Sequence, residues 1–274
     1  MSWRGDPEGS PDEPQHRVIG AATARILDEL GVRHWRLPST AGALAEVLDQ
    51  VDREHRDGRS AVILVPKGGI GPWTGDARRT DAGGLPIDPV TAVRAIQEAL
   101  TDELVVSTTG YLSRRLFACG DRPGTFYMQG SMGHAVSIAL GAAVARPRRR
   151  VVVLDGDGAC LMHMGALSTV GAVAPPNITH MIVDNGCYAS TGGQPTTSST
   201  TRLDDVASAS GYRFVAGCET PDRLPHAVRQ ALDARGPALL LIRTGVDASP
   251  PPPRPTSSLE PGALRARFEL MARG

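Results

Sequence analysis

The feature that most constrains this chain is a unit that recurs after residue 87. A short apolar run is followed by a turn of glycine, hydroxyl or acidic residues, and then by a segment with helical spacing. The runs cover residues 104–107, 150–155, 178–184 and a last one closing at 239–243. A strand with one wet face alternates apolar and polar residues, whereas a strand apolar along its whole length is covered on both faces. Such strands alternating with helices predict an α/β fold, a parallel sheet with helices on both faces. In sheets of this kind ligands sit outside the carboxyl ends of the strands. The loops after Ser107, Asp155 and Asp184 all fall at that end. Helices are expected at 89–100, from about 110 to 117, at 134–145, and from the Gly156-Asp157-Gly158 turn to about Val173; residues 186–201 read as a long Gly/Ser/Thr loop.

Ahead of this domain, residues 18–70 predict a partial second α/β unit: helix 18–30 stopped by Gly31, strand 32–37, helix 41–56, and strand 61–65 ending at Pro66-Lys67-Gly68-Gly69. Residues 1–17, rich in Pro, Gly and acids, offer no apolar face and are expected to be a disordered leader. Residues 71–86 have linker composition, 87–245 form the main domain, and 246–274 are a proline-rich tail with a C-terminal helix. The 29 basic and 29 acidic residues cancel, which removes the electrostatic reason to expect nucleic acid or an anionic membrane as partner. The longest uncharged apolar stretch, 135–145, is too short to cross a bilayer. No apolar h-region marks a secretory signal. Cys119, Cys160, Cys187 and Cys218 stand far apart without a C-x-x-C pair, so neither a zinc site nor a disulfide framework is expected, and the cytoplasm is the simplest setting.

The segment VVVLDGDGACLMHMG has the strand, glycine turn and helix of a dinucleotide site, with Asp184 ending the next strand. Two residues oppose that reading. Leu161 stands where the third glycine belongs, and Asp157 lies between the glycines, where its carboxylate would repel a bare pyrophosphate. A divalent cation between Asp157 and a diphosphate turns the repulsion into attraction, because Mg²⁺ favours one or two carboxylates together with phosphate oxygens. The helix start at Gly158-Ala159 offers free N–H groups to such a diphosphate. Asn185, separated from Gly158 by residues 159–184, sits at the mouth of the neighbouring strand, where its amide oxygen can complete the metal shell.

G-D-G, a gap of this length and an Asn after an apolar strand resemble the metal and diphosphate motif of thiamine diphosphate enzymes. The segments YMQGSMGHAVSIALG, GDGACLMHMGALSTVGA, VDNGCYASTGGQPTTS and RPTSSLEPGALRARF resemble the phosphonopyruvate decarboxylase family over nearly all of residues 87–270. The sister sulfopyruvate decarboxylases share mainly the central motifs. The resemblance implies Mg²⁺ ligation by Asp157, Asn185 and the Cys187 backbone carbonyl. It implies that Gly156, Gly158 and Ala159 hold the diphosphate, with Thr109 and Gly110 helping from the first strand end. Gly130 and Ser131 would meet the aminopyrimidine, and Met132 would be the apolar wedge that bends the cofactor. His134 would contact substrate, although a capping or core role suits it equally. Lys67, the single lysine, and Arg202 are further candidates for an anionic substrate, weighed against plain surface placement.

These enzymes also need a pyrimidine-binding domain whose glutamate activates the aminopyrimidine ring. Residues 18–70 resemble only the last part of that domain, and Glu29, Glu46 and Glu54 all lie in helical positions without the expected strand-end setting. The implied arrangement is a pyrimidine-domain partner subunit supplying the glutamate, in a hetero-oligomer with two or more copies. The implied chemistry is decarboxylation of a small anionic 2-oxo acid, 3-phosphonopyruvate or 3-sulfopyruvate. A thiamine diphosphate-binding module without turnover is the alternative from a different class.

Overall fold

Residues 1–17 are not the expected disordered leader. In the computed structural model, which describes residues 1–9, 11–71, 85–247 and 249–273, Ser2–Trp3 (β1) pairs in parallel with Val65 and Pro66. The Trp3 indole N–H donates to the Gly20 carbonyl at 2.9 Å, and both Arg4 Nε and a terminal nitrogen reach the Asp12 carboxylate. That fork holds the Asp12 carboxyl well below the ordinary carboxylate range. Average composition hides such ties, because one aromatic ring and one ion pair are enough to anchor a polar segment.

The remainder of the first compact unit, Met1–Asp76, contains α1 (Arg17–Glu29), β2 (Arg33–Arg36), α2 (Ala41–Arg56) and β3 (Ala61–Pro66) in a parallel sheet of order β1-β3-β2. Gly31, at φ +65°, allows the turn out of α1, and the Thr40 hydroxyl caps α2 by accepting the Ala43 N–H. Lys67 donates to the Pro11 carbonyl in this unit. Most of the expected linker, residues 72–84, lies outside the described residues.

The second unit, Ala77–Gly274, begins at α3 (Pro89–Ala99), where Pro occupies the first turn and Asp88 accepts the Val90 and Thr91 N–H groups. There follow β4 (Leu104–Ser107), α4 (Tyr111–Ala118), β5 (Thr125–Tyr127), α5 (Ala135–Ala145), β6 (Val151–Gly156), α6 (Asp157–Met162), α7 (Gly165–Val173) and β7 (Ile178–Asp184). The chain continues through β8 (Cys187–Tyr188), β9 (Gln194–Pro195), α8 (Leu203–Ala209), β10 (Phe214–Cys218), α9 (Leu224–Asp233), β11 (Ala238–Arg243) and α10 (Pro261–Arg273). Six strands form one parallel sheet in the order β10-β11-β7-β6-β4-β5. On one face Val105, Val152, Leu154, Met181, Leu240 and Ile242 pack under α3, α4 and α9. On the other, Leu104, Val106, Val153, Ile182, Leu239 and Leu241 pack under α5, α7 and α8. The apolar runs are thus covered on both sides, as their composition requires. Among the described residues no helix is long and apolar enough to cross a membrane, and Cys119, Cys160 and Cys218 are free thiols.

Two local expectations change. The helix from the Gly156 turn to Val173 is interrupted at His163, which leaves helical geometry (φ −135°, ψ 42°) where the Gly133 backbone abuts it. The loop 186–201 is not featureless, for β8 and β9 pair antiparallel and Thr196 N–H returns to the Gly186 carbonyl at 2.9 Å. Strand order reverses at β4, which has β5 on one side and β6 on the other. That switch opens a crevice at the carboxyl ends of β4 and β6.

Candidate active site

Each of three strand ends feeds the crevice. After β4, Thr108 N–H stays in register on the Leu154 carbonyl at 2.8 Å, and Gly110 (φ +94°) turns the chain into α4, with a Cβ there falling 3.5 Å from Ser190 Oγ. After β6, the Gly156 N–H donates to Asp155 Oδ1 at 3.0 Å and Asp157 opens α6 with its side chain buried. A Cβ on Gly158 would lie 2.4 Å from Tyr188 Cε1, so at that position the backbone can approach only because the residue is glycine. After β7, Asn185 Oδ1 accepts the Cys187 N–H at 3.1 Å and Asp184 Oδ1 accepts the Gly186 N–H at 3.0 Å. Together these loops form a cleft of about 240 Å³ lined by Thr109, Gly110, Gly156, Asp157, Gly158 and Ala159, by Asn185 and Cys187, and by half-buried Met132 from the loop before α5.

Gly130, Ser131 and His134 belong to that same loop but do not line the cleft. Ser131 adopts φ +48°, and the exposed His134 ring stands edge-on to His163 at 4.4 Å, with Nδ1 at 3.1 Å from the Ser131 carbonyl. Arg202 is not among the lining residues and pairs with Asp204 and Asp205; Lys67 belongs to the first unit.

A buried hydroxyl chain behind the cleft went unnoticed in the sequence. Thr196 Oγ1 donates to Asp157 Oδ2 at 2.5 Å and lies 3.1 Å from Ser198 Oγ, which donates to Asp184 Oδ1 at 2.8 Å. The three oxygen–oxygen contacts join two carboxylates through two hydroxyls, each of which has one proton to give. With both carboxylates ionised, one contact has no proton, so the chain closes fully only when a carboxyl carries one. Burial pushes the Asp157 carboxyl up, to about 6; the Thr196 hydrogen bond opposes the rise and the nearby Asp184 charge adds to it. A cation beside Asp157 would relieve the same strain. Among the described residues no three His, Cys, Asp or Glu side chains converge. The donors at hand are a carboxylate, an amide oxygen and a backbone carbonyl, an oxygen set suited to Mg²⁺ that leaves positions for phosphate oxygens. The only sequence signal for Thr196 and Ser198 was the hydroxyl-rich run Thr196–Thr201, which reads equally well as an ordinary surface loop.

A parallel sheet with its switch point at a cleft that pairs an acidic glycine turn with an Asn defines a diphosphate-binding domain of the thiamine type, and the family described as thiamine pyrophosphate enzyme, C-terminal TPP binding domain, matches residues 108–242. The chain is 40% identical over 261 residues to phosphonopyruvate decarboxylase of Streptomyces viridochromogenes, covering 89% of this chain and 65% of that protein. It is 41% identical over 289 residues to the Streptomyces hygroscopicus enzyme of the same name, covering 99% of this chain and 70% of that one. The chain belongs to the phosphonopyruvate decarboxylase family of thiamine pyrophosphate enzymes, and it spans about two thirds of the length of these relatives. Sulfopyruvate decarboxylase subunit beta of Methanothermobacter thermautotrophicus is 44% identical over 129 residues, 47% of this chain and 69% of that subunit. In fold the chain is similar to a thiamine diphosphate-dependent 4-hydroxybenzoylformate decarboxylase of Rhodococcus jostii, with a TM-score of 0.52, 23% identity, and coverage of 65% of this chain and 36% of that one.

Proposed function

We propose that this chain is the diphosphate- and Mg²⁺-binding subunit of a cytoplasmic 2-oxo acid decarboxylase that converts 3-phosphonopyruvate to phosphonoacetaldehyde and CO2 in phosphonate biosynthesis. The observation that carries the reading is likeness to phosphonopyruvate decarboxylases across 89% and 99% of the chain, whereas the sulfopyruvate subunit aligns over only 47% of it. Thiamine diphosphate, when bound, supplies the carbon nucleophile and electron sink that decarboxylation of a 2-oxo acid requires.

This chain's residues bind and orient. Asp157, the Asn185 amide oxygen and the Cys187 carbonyl hold Mg²⁺. The N–H groups of Gly158 and Ala159 would take diphosphate oxygens, with Thr109, Gly110 and Gly156 lining the same cleft. Met132, which lines the cleft, would present an apolar surface to the cofactor. Gly130, Ser131 and His134 serve the pyrimidine and substrate end. A phosphonate carries more charge near neutral pH than a sulfonate, and the hydroxyls and N–H groups of the 190–194 loop suit its three oxygens. The activating glutamate comes from a pyrimidine-domain partner subunit, an arrangement supported by relatives that are themselves named subunit beta.

The test is a CO2-release assay on the chain co-expressed with such a partner. The expected preference for 3-phosphonopyruvate over pyruvate is at least about a hundredfold in kcat/KM, or about 2.7 kcal/mol. The 44% identity of the shared core to a sulfopyruvate subunit keeps 3-sulfopyruvate as the rival substrate. Faster turnover of 3-sulfopyruvate, or equal turnover of pyruvate, overturns the assignment. Cofactor binding without turnover of any of the three points to a non-catalytic module.

A further inference from the structure

Beneath the Asp155-Gly156-Asp157 turn, the sheet face covered by α5, α7 and α8 contains two ionisable side chains that the cleft does not use. Asp155 in β6 and His180 in β7 are fully inaccessible, and their neighbours along the two strands are Val151, Val153, Ile178 and Ile182. The register pairs His180 with Val153 and Asp155 with Ile182, so the two side chains stand diagonally across adjacent strands on one face. His180 Nε2 lies 3.4 Å from Asp155 Oδ2, and among the described residues neither that oxygen nor either ring nitrogen has a hydrogen-bond partner. The second oxygen, Asp155 Oδ1, accepts the Gly156 N–H. Around the pair, the Cys160 thiol and the Tyr212 phenol are both pushed upward in pKa by burial, so each stays a neutral neighbour.

Two ionisable groups buried this way cost more than the valine and leucine that would fill the same space, unless they hold each other in place. We propose that His180 is a positioning residue: from inside the core it holds Asp155, so that Asp155 Oδ1 fixes the Gly156 N–H and thereby the aim of Asp157, Gly158 and Ala159 into the cleft. The Gly156 N–H lies where strand becomes helix, and restraining Asp155 at both oxygens locks its rotamer there. The inference rests on the proposed role of this turn in binding diphosphate and Mg²⁺.

The experiment compares the 274-residue chain with His180→Gln, His180→Leu and the double variant Asp155→Leu/His180→Leu. Each is titrated calorimetrically with thiamine diphosphate at saturating Mg²⁺, and the Tm of each is measured without ligand. Orienting partners behind a metal ligand typically set affinity by about ten- to a hundredfold. The double variant, with an apolar core and no lone buried charge, is expected to fold with a Tm at or above wild type while binding at least about tenfold more weakly. His180→Gln keeps a donor and retains the wild-type affinity, and His180→Leu follows the double variant in affinity while losing Tm. Wild-type affinity in the double variant overturns the positioning role, whatever becomes of His180→Leu. An absence of binding by the wild-type chain both alone and with a pyrimidine-domain partner added overturns instead the diphosphate reading on which it rests, and the same titration separates the two results.

Discussion

Asp157→Asn should stabilise the ligand-free chain and at the same time remove the response to its ligands. In the folded state the carboxyl is raised from 3.8 to about 6 by burial, with the Asp184 charge adding to the rise. An unfolded chain therefore loses this proton near pH 4, while the folded chain keeps it until about pH 6. Between those values the folded state binds more protons, so stability falls as pH rises through the window and the full penalty is present above it. At 1.36 kcal/mol per unit, the shift amounts to about 3 kcal/mol at pH 8. Asn has the shape of Asp and can still offer an oxygen to Thr196 Oγ1, but it has no charge to bury. Whatever constant cost the amide brings, the stability difference between variant and wild type should grow by about 2 kcal/mol from pH 4 to pH 8, since the unfolded carboxyl is already partly ionised at pH 4. For a unit of this size that is a change of about 4–8 °C in the Tm difference. Thermal unfolding of both proteins across that pH range, with a chelator present, measures it. Adding Mg²⁺ and thiamine diphosphate at pH 8 should then raise the wild-type Tm and leave the variant nearly unmoved. Parallel pH profiles would refute the buried-charge argument, and equal ligand-induced shifts would refute the metal role.

Asn177 donates through Nδ2 to the carbonyls of Ala143, Arg146 and Arg149, at 3.1, 3.0 and 2.7 Å, and so ties the end of α5 to β7; Asn177→Ala should cost about 1–3 kcal/mol in urea unfolding, with ligand affinity unchanged. Leu239→Ala, at a fully buried position near the start of β11, should cost about 2–5 kcal/mol, depending on how far α8 settles into the space, and a loss well under 1 kcal/mol would contradict the packing described. Decarboxylase activity should be absent from the purified chain and appear when a pyrimidine-domain subunit is added, with light scattering reporting a heteromer holding at least two copies of each; robust activity of the chain alone would assign the activating role to a glutamate within it, such as Glu29 or Glu46.

What the sequence by itself determined is what local pattern encodes. The uninterrupted apolar runs at 104–107 and 178–184 required strands covered on both faces, and those strands occupy the same bounds in the sheet. Asp157 between two glycines and Asn185 after the next apolar strand were readable as one site, because consecutive parallel strands in a βαβ unit tend to be neighbours and their ends then open on a common crevice. Only the tertiary structure could show that Thr196 reaches Asp157 from a hydroxyl-rich loop, or that His180 lies diagonally from Asp155. Both contacts depend on strand register and on the path of the 186–201 segment, and hydrophobic periodicity carries no information about either. The ordered first residues were hidden for a related reason. The parallel pairing of Ser2–Trp3 with Val65 and Pro66 joins positions more than sixty apart, through backbone groups that every sequence possesses.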